Sequence, residues 1–235
     1  MLKMEQSNIN RRDALQGALR SLVGLGAVST AGGLLLPGTA HALGVPSYRR
    51  IELDVVSDGQ RIGEFVGSFS GSAGGTFVAE TRVVIESNVY SVDASNREEW
   101  SNGVLTRLTG VGDDNGNAFS FEITGNGNGL SGQNNRGKSV GSRQDAQPTT
   151  YWNRDYRSTR RVINSLAGDD FAVRTTELGQ ASVTNRLGTY SYDQVRVQGA
   201  GLGLYNVVLN YDRSGDWSGL SFSLFGFDVD YLRRA

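Results

Sequence analysis

Apolar and polar residues alternate along most of the chain, and the alternation is clearest over residues 76–86. In this segment Phe77, Ala79 and Ile85 fall on one side, whereas charged residues such as Glu80 fall on the other. A period of two is typical of a half-buried β-strand. Eleven segments follow this pattern: 48–56, 61–70, 76–86, 89–100, 104–111, 118–124, 171–178, 189–198, 204–211, 217–225 and 227–232.

Turn-forming pairs separate these segments. They are Asp58-Gly59, Gly74-Gly75, Asn102-Gly103, Asn115-Gly116 and Ser214-Gly215. Such pairs connect antiparallel strands in hairpins. The pattern therefore predicts an all-β fold, namely a single antiparallel, strongly curved sheet or partly open β-barrel of about 10–12 strands. Residues 154–166 could form one short helix at most. Residues 125–147, rich in Gly and Asn, are expected to form a mobile loop.

The N-terminal segment is typical of an export signal. Arg11 and Arg12 precede an apolar, glycine-diluted run over residues 14–36, and small residues including Ala40 and Ala42 follow Pro37. A charged start, apolar middle and small-residue exit characterise secretory signals, and paired arginines favour the twin-arginine route. We expect a signal helix within residues 1–42, cleavage after Ala42, and one domain over residues 43–235. An uncleaved anchor or an ordinary structural helix is the alternative.

This route implies a periplasmic protein that contacts the twin-arginine translocase and signal peptidase during export. Cleavage would remove His41, which is the single histidine, and both methionines, and the chain has no cysteine. The remaining chain would lack the His, Cys and Met ligands that haem, iron–sulfur, copper and ordinary zinc sites need, and it would lack the cysteine that a lipoprotein anchor needs. We expect no cofactor, no metal and no catalytic residues of the common classes. The net charge of −1 gives no reason to expect nucleic-acid binding.

Two motif matches have simpler explanations. The segment from Gly132 to Ser139 fits a phosphate-binding loop, but no apolar strand precedes it and no helix follows it. We therefore expect no nucleotide there. Residues 113–117 resemble the start of a calcium loop, yet the glycine comes early and Thr124 stands where Glu is needed. A hairpin turn accounts for the same residues.

The charged residues offer weaker candidates. Arg154, Arg157 and Arg161 would share one face if this segment were helical, and Arg157 and Arg161 are candidates for contact with an anion. A solvated face is the alternative. Glu98 and Glu99 are adjacent, so they would point to opposite faces of a strand and could not form one acid–base pair.

Aromatic residues are the candidates for lining a ligand site. In a rolled sheet these side chains either fill the interior or line a cavity. The candidates are Trp100, Tyr151, Trp152, Tyr205, Tyr211 and Trp217.

Five segments together resemble a family of exported bacterial proteins known as domain of unknown function 6134. They are 58–63 (Asp-Gly-Gln-Arg-Ile-Gly), 99–105 (Glu-Trp-Ser-Asn-Gly-Val-Leu), 113–116 (Asp-Asp-Asn-Gly), 151–153 (Tyr-Trp-Asn) and 211–217 (Tyr-Asp-Arg-Ser-Gly-Asp-Trp). The resemblance spans residues 48–232 and implies no activity.

Three functions stay open from the sequence. The first is binding of an apolar or amphipathic small molecule, such as a lipid, inside the curved sheet. The second is an envelope scaffold or interaction protein. The third is a lyase or isomerase-type enzyme without a metal that uses Tyr, Arg and carboxylates, and that would need a buried carboxylate with a raised pKa in a pocket.

Overall fold

A computed structural model describes residues 43–88, 90–125, 129–185, 188–199, 205–224 and 227–234. The predicted signal segment, with Arg11, Arg12, Ala40 and Ala42, lies outside these residues. Among the described residues, no helix has the length and apolar character needed to cross a membrane.

Strands are almost the only regular secondary structure in the described chain, which confirms the predicted all-β class. Its strands are β1 (Arg50–Ser57), β2 (Gln60–Gly71), β3 (Thr76–Glu86), β4 (Ser91–Ser101), β5 (Val104–Asp114), β6 (Asn117–Gly125), β7 (Leu130–Asn134), β8 (Ser139–Ser142), β9 (Gln147–Pro148), β10 (Arg161–Ile163), β11 (Asp170–Asn185), β12 (Gly188–Gly199), β13 (Asn206–Tyr211), β14 (Trp217–Leu224) and β15 (Phe227–Arg233). A 3₁₀ helix spans Arg154–Ser158.

The strands form one sheet in the order β8-β7-β6-β5-β4-β3-β2-β1-β15-β14-β13-β12-β11-β10-β9. The first and last strands, β1 and β15, pair at the centre of the sheet. The two edges, β8 and β9, therefore come from the middle of the chain. Among the described strands, each neighbouring pair is antiparallel except β9 with β10, which is parallel.

The two edges lie close together, so the sheet curls into a partly open barrel. Four residues, 143–146, connect β8 at one edge to β9 at the other. An extended chain of this length spans at most roughly 19 Å between Ser142 and Gln147. Side chains also cross the seam: Lys138 Nζ lies 2.8 Å from Asp169 Oδ1, and Ser142 Oγ donates to Asp170 Oδ2 at 2.8 Å.

All eleven predicted strands are present, but the expected mobile loop over residues 125–147 is wrong. The chain there forms the β7–β8 hairpin on the edge of the sheet, with Leu130 and Val140 buried in the core. Its glycines allow close strand pairing: a Cβ on Gly132 would come within 1.7 Å of the Glu122 carbonyl oxygen. Glycine at this position therefore reflects the close pairing of two strands and does not mark a loop.

The segment predicted as a possible helix, residues 154–166, also differs. Only its first turn is helical, as the 3₁₀ helix, and Arg161–Ile163 is strand β10. Asn153 caps this turn by accepting a hydrogen bond from the Asp155 backbone N–H.

One end of the barrel is filled by aromatic side chains. Trp152, carried by the segment between β9 and β10, is completely buried. Its ring centroid lies 5.2 Å from that of Phe77, 5.6 Å from Phe69 and 5.8 Å from Trp100. The segment before the 3₁₀ helix thus plugs this end, and space remains towards the other end.

Candidate ligand-binding cavity

A cavity of about 190 Å³ lies inside the barrel beside the aromatic plug. Its apolar walls come from opposite halves of the curled sheet. Val83, Ile85 and Val92 belong to β3 and β4, whereas Val207 and Leu220 belong to β13 and β14. The walls therefore combine strands from the first and second halves of the chain.

The cavity reaches the surface at its far end. Asn206 and Ser223 both line it and are exposed, and the half-buried Phe222 lies between the cavity and the surface. The opposite end is deep in the barrel, where Thr81, Asn96 and Thr150 line it and are buried. The site thus has an open mouth and a buried floor.

Tyr151 and Tyr205 form a hydrogen-bonded pair in the cavity lining. Their hydroxyl oxygens are 2.7 Å apart. Tyr151 has a φ of 67°, which is the left-handed region that a bulky residue rarely adopts. Burial raises the pKa of both phenols well above the usual range, so both remain neutral.

Asn96 contributes an unpaired polar atom. Its side chain lines the cavity, is 6% exposed, and its carboxamide oxygen is buried without a hydrogen-bond partner in the described part of the chain. Thr81 stands directly opposite on β3, and Gly110 stands opposite on β5. A Cβ on Gly110 would come within 2.9 Å of the Asn96 oxygen, so glycine there leaves room for the amide.

No residue that lines the cavity in the described chain carries a formal charge. The other ionisable lining groups are phenols, Tyr90 and Tyr231, and burial raises the pKa of each above its ordinary value. The cavity lining is therefore neutral at any physiological pH.

A buried carboxylate lies behind the cavity floor. Glu98 Oε2 accepts a hydrogen bond from Trp100 Nε1 at 3.0 Å, and its Oε1 accepts one from Trp152 Nε1 at 3.0 Å and another from the Thr150 hydroxyl. Burial raises the pKa of Glu98 to about 7, although the three hydrogen bonds lower it in part. Glu99 faces the outer side, as the strand pattern predicted.

Glu98 does not line the cavity, and Thr150 separates it from that space. Its role in this arrangement is to hold the plug segment against β4. The buried carboxylate with a raised pKa that an enzyme would need is present, but its partners are Trp and Thr rather than Tyr or Arg.

The six predicted ligand-lining residues divide into two groups. Tyr151 and Tyr205 line the cavity. The other four are buried core residues that do not line this cavity: Trp100, Trp152, Tyr211 and Trp217. They fill the plugged end of the barrel, and local sequence does not specify which end is filled.

The two arginines predicted to contact an anion already have partners within the chain. Arg157 lies near Asp193 at 3.5 Å and stacks over the Tyr211 ring at 4.8 Å from its centroid. Arg161 Nε donates to Asp170 Oδ2 at 2.7 Å. The shared helical face expected for these arginines is wrong, because the helix ends at Ser158.

The two motif matches form hairpins. Gly132 lies in β7 and Ser139 in β8, so the segment is strand–turn–strand and differs from the strand–loop–helix of a phosphate-binding loop. Asn115 and Gly116, both with positive φ, make the turn between β5 and β6. In the described part of the chain, no group of three or more acidic, His or Cys side chains is placed to hold a metal.

Sequence reasoning missed Asn96 and Thr81. Each is a polar residue at an inward position of an alternating strand, and that mismatch between residue type and face is the signal that could have identified them.

Comparison with known proteins identifies the family of this chain. The model of the family described as domain of unknown function (DUF6134) matches residues 53–234, which confirms the resemblance seen in the sequence. A search of curated proteins found none that matches this sequence.

The matches among solved structures include two proteins, of which the first is similar in fold. One is a β-barrel-like protein of domain of unknown function DUF1849 from Brucella abortus, with a TM-score of 0.56 and 11% identity, covering 79% of this chain and 94% of that one. The other is a DUF1089 family protein from Pseudomonas aeruginosa, with a TM-score of 0.36 and 10% identity, covering 82% of this chain and 95% of that one.

Proposed function

We propose that this chain, which belongs to the DUF6134 family, binds an apolar or amphipathic small molecule, such as a lipid. The description of the family assigns no activity, so the proposal rests on the interior of the barrel. The observation that carries this proposal is the cavity of about 190 Å³ with aliphatic and aromatic walls. An apolar cavity of about 150 Å³ is large enough to hold benzene.

The walls favour an apolar ligand on energetic grounds. Removing apolar surface from water stabilises a complex by roughly 25 cal/mol per Å². Water against Val83, Val92 and Leu220 would find few hydrogen-bond partners, so a ligand that displaces it gains affinity. The mouth near Asn206 and Ser223 supplies a route of entry.

Native mass spectrometry of the protein purified from its own cells tests the proposal. A stoichiometric extra mass is expected, and denaturing release should identify it as an apolar or amphipathic molecule. A ligand-free mass in every preparation, together with no uptake of added lipids, would contradict the proposal.

A cavity-filling variant supplies the matched comparison. Val92→Phe places a larger side chain in the cavity and should abolish the extra mass. Val111→Phe adds the same aromatic group at an outward position that is 59% exposed, and should retain it. Loss of the extra mass in both variants would place the ligand elsewhere.

We further propose that the protein acts in the periplasm after export by the twin-arginine translocase and removal of residues 1–42 by signal peptidase. The support is the order of Arg11-Arg12, apolar run and Ala40-His41-Ala42. Replacing both arginines by lysine should leave the full-length chain in the cytoplasm, as followed by cell fractionation. Normal export of this variant would exclude that route.

A further inference from the structure

The buried floor of the cavity carries polar groups, and all of them are neutral. Thr81 and Asn96 face each other across β3 and β4, and Thr150 and Tyr151 approach from the plug segment. The walls between this floor and the mouth are mainly apolar. The cavity is therefore polar at its closed end and again at the mouth, with mainly apolar walls between them.

Resting on the binding function proposed above, we infer that the ligand is an uncharged amphiphile whose hydroxyl or amide head group lies on this floor against Asn96. Its apolar tail then runs along Val83, Val92 and Leu220 towards the mouth. The proposal names a class of ligand, such as a long-chain alcohol or a neutral lipid with a free hydroxyl.

The absence of charge in the described lining argues against ionised head groups. A buried carboxylate or ammonium without a partner loses its hydration and gains nothing in return. A fatty-acid anion would find no Arg or Lys in the described lining, and Glu98 behind the floor would not attract it. A neutral head group loses far less hydration.

The carboxamide of Asn96 favours a head group that can donate. Its oxygen has no partner among the described residues, and a buried acceptor left in that state destabilises the fold. A hydroxyl both donates and accepts, so it can pair with this oxygen and with the Thr81 or Thr150 hydroxyl nearby.

Calorimetric titration of the full chain with three eight-carbon probes tests the head-group preference. The probes are octan-1-ol, octanoate and octylammonium at about pH 8, where the last two are ionised. Octan-1-ol is expected to bind about tenfold or more tightly than either ion. Equal or tighter binding of an ion, with binding lost in Val92→Phe, would overturn this inference and leave the proposed function standing.

The variant Asn96→Leu tests the position of the head group. It should weaken octan-1-ol binding about tenfold, and it should stabilise the ligand-free protein because the unpaired oxygen is gone. Asn210→Leu is the control: Asn210 is buried away from the cavity and accepts from Gln194 Nε2 at 2.9 Å. This control should lose stability and keep its affinity for octan-1-ol.

The remaining outcomes are also decisive. Unchanged octan-1-ol affinity in folded Asn96→Leu would overturn the placement of the head group. If that variant does not fold, the three-probe series on the unaltered chain decides the head-group class alone. If no probe binds the unaltered chain, this inference fails, and native mass spectrometry with added lipids decides the proposed function separately.

Discussion

Glu98 shows how one inward-facing residue can connect two parts of the molecule. Its carboxylate joins β4 to the plug segment through Trp100, Trp152 and Thr150. Because the carboxylate is completely enclosed and pairs with no cation among the described residues, the energetic cost of its ionisation falls on the folded state. The residue therefore makes stability depend on pH.

The pKa of Glu98 rises from 4.5 in the unfolded chain to about 7 in the folded protein. The stability that protonated Glu98 contributes to the fold is therefore fully present below about pH 4.5 and is lost as the pH rises through 7. The change amounts to about 3 kcal/mol. Glu98→Gln removes this titration, so its free energy of unfolding should fall less between pH 5 and 7 than that of the unaltered protein. Denaturant unfolding at both values measures this difference.

Glu99→Gln is the matched control for that experiment. Glu99 follows directly on the same strand but lies on the outer face beside Arg97. Its substitution leaves Glu98 in place, so the pH dependence that Glu98 causes should remain. An unaltered slope in Glu98→Gln would show that Glu98 does not titrate over this range.

At the scale of elements, the β7–β8 hairpin depends on a glycine with no room for a side chain. Gly132→Ala would push a methyl group into the Glu122 carbonyl and separate β7 from β6. We expect a loss of about 1–3 kcal/mol of stability and faster amide exchange over residues 130–142. Gly74→Ala has open space around its Cβ and should behave like the unaltered protein.

The alternation of residue types predicted eleven strands because each carries its own period of two. The sequence did not reveal β7 and β8, since Gly and Asn hide that period, or β9 and β10, which are too short to show it. It identified Tyr151 and Tyr205 as candidate lining residues. It did not show that Trp152 fills one end of the barrel, because that position depends on contacts with strands far away in the chain, such as those of Phe69 and Phe77.

At the scale of the whole molecule, the barrel depends on the seam between its two edges. Asp170 accepts from Ser142 on one side and Arg161 on the other. Asp170→Ala should lower the free energy of unfolding by about 1–3 kcal/mol and speed ligand release, as measured by denaturant unfolding and by competition. Asp145→Ala removes an exposed carboxylate that pairs with Arg143 and should change neither. Equal effects would mean that the seam contributes little.

The pairing of β1 with β15 has a consequence for synthesis. A ribosome releases β15 after the other described strands, yet this strand occupies the middle of the sheet and must enter between β1 and β14. Before β15 pairs with β1, no strand pairing among the described residues joins the front meander (β1–β8) to the back meander (β9–β15). The cavity has walls from both meanders and so has no enclosed form on the nascent chain. Its first occupant can be enfolded as the strands come together, without ever passing through the finished mouth.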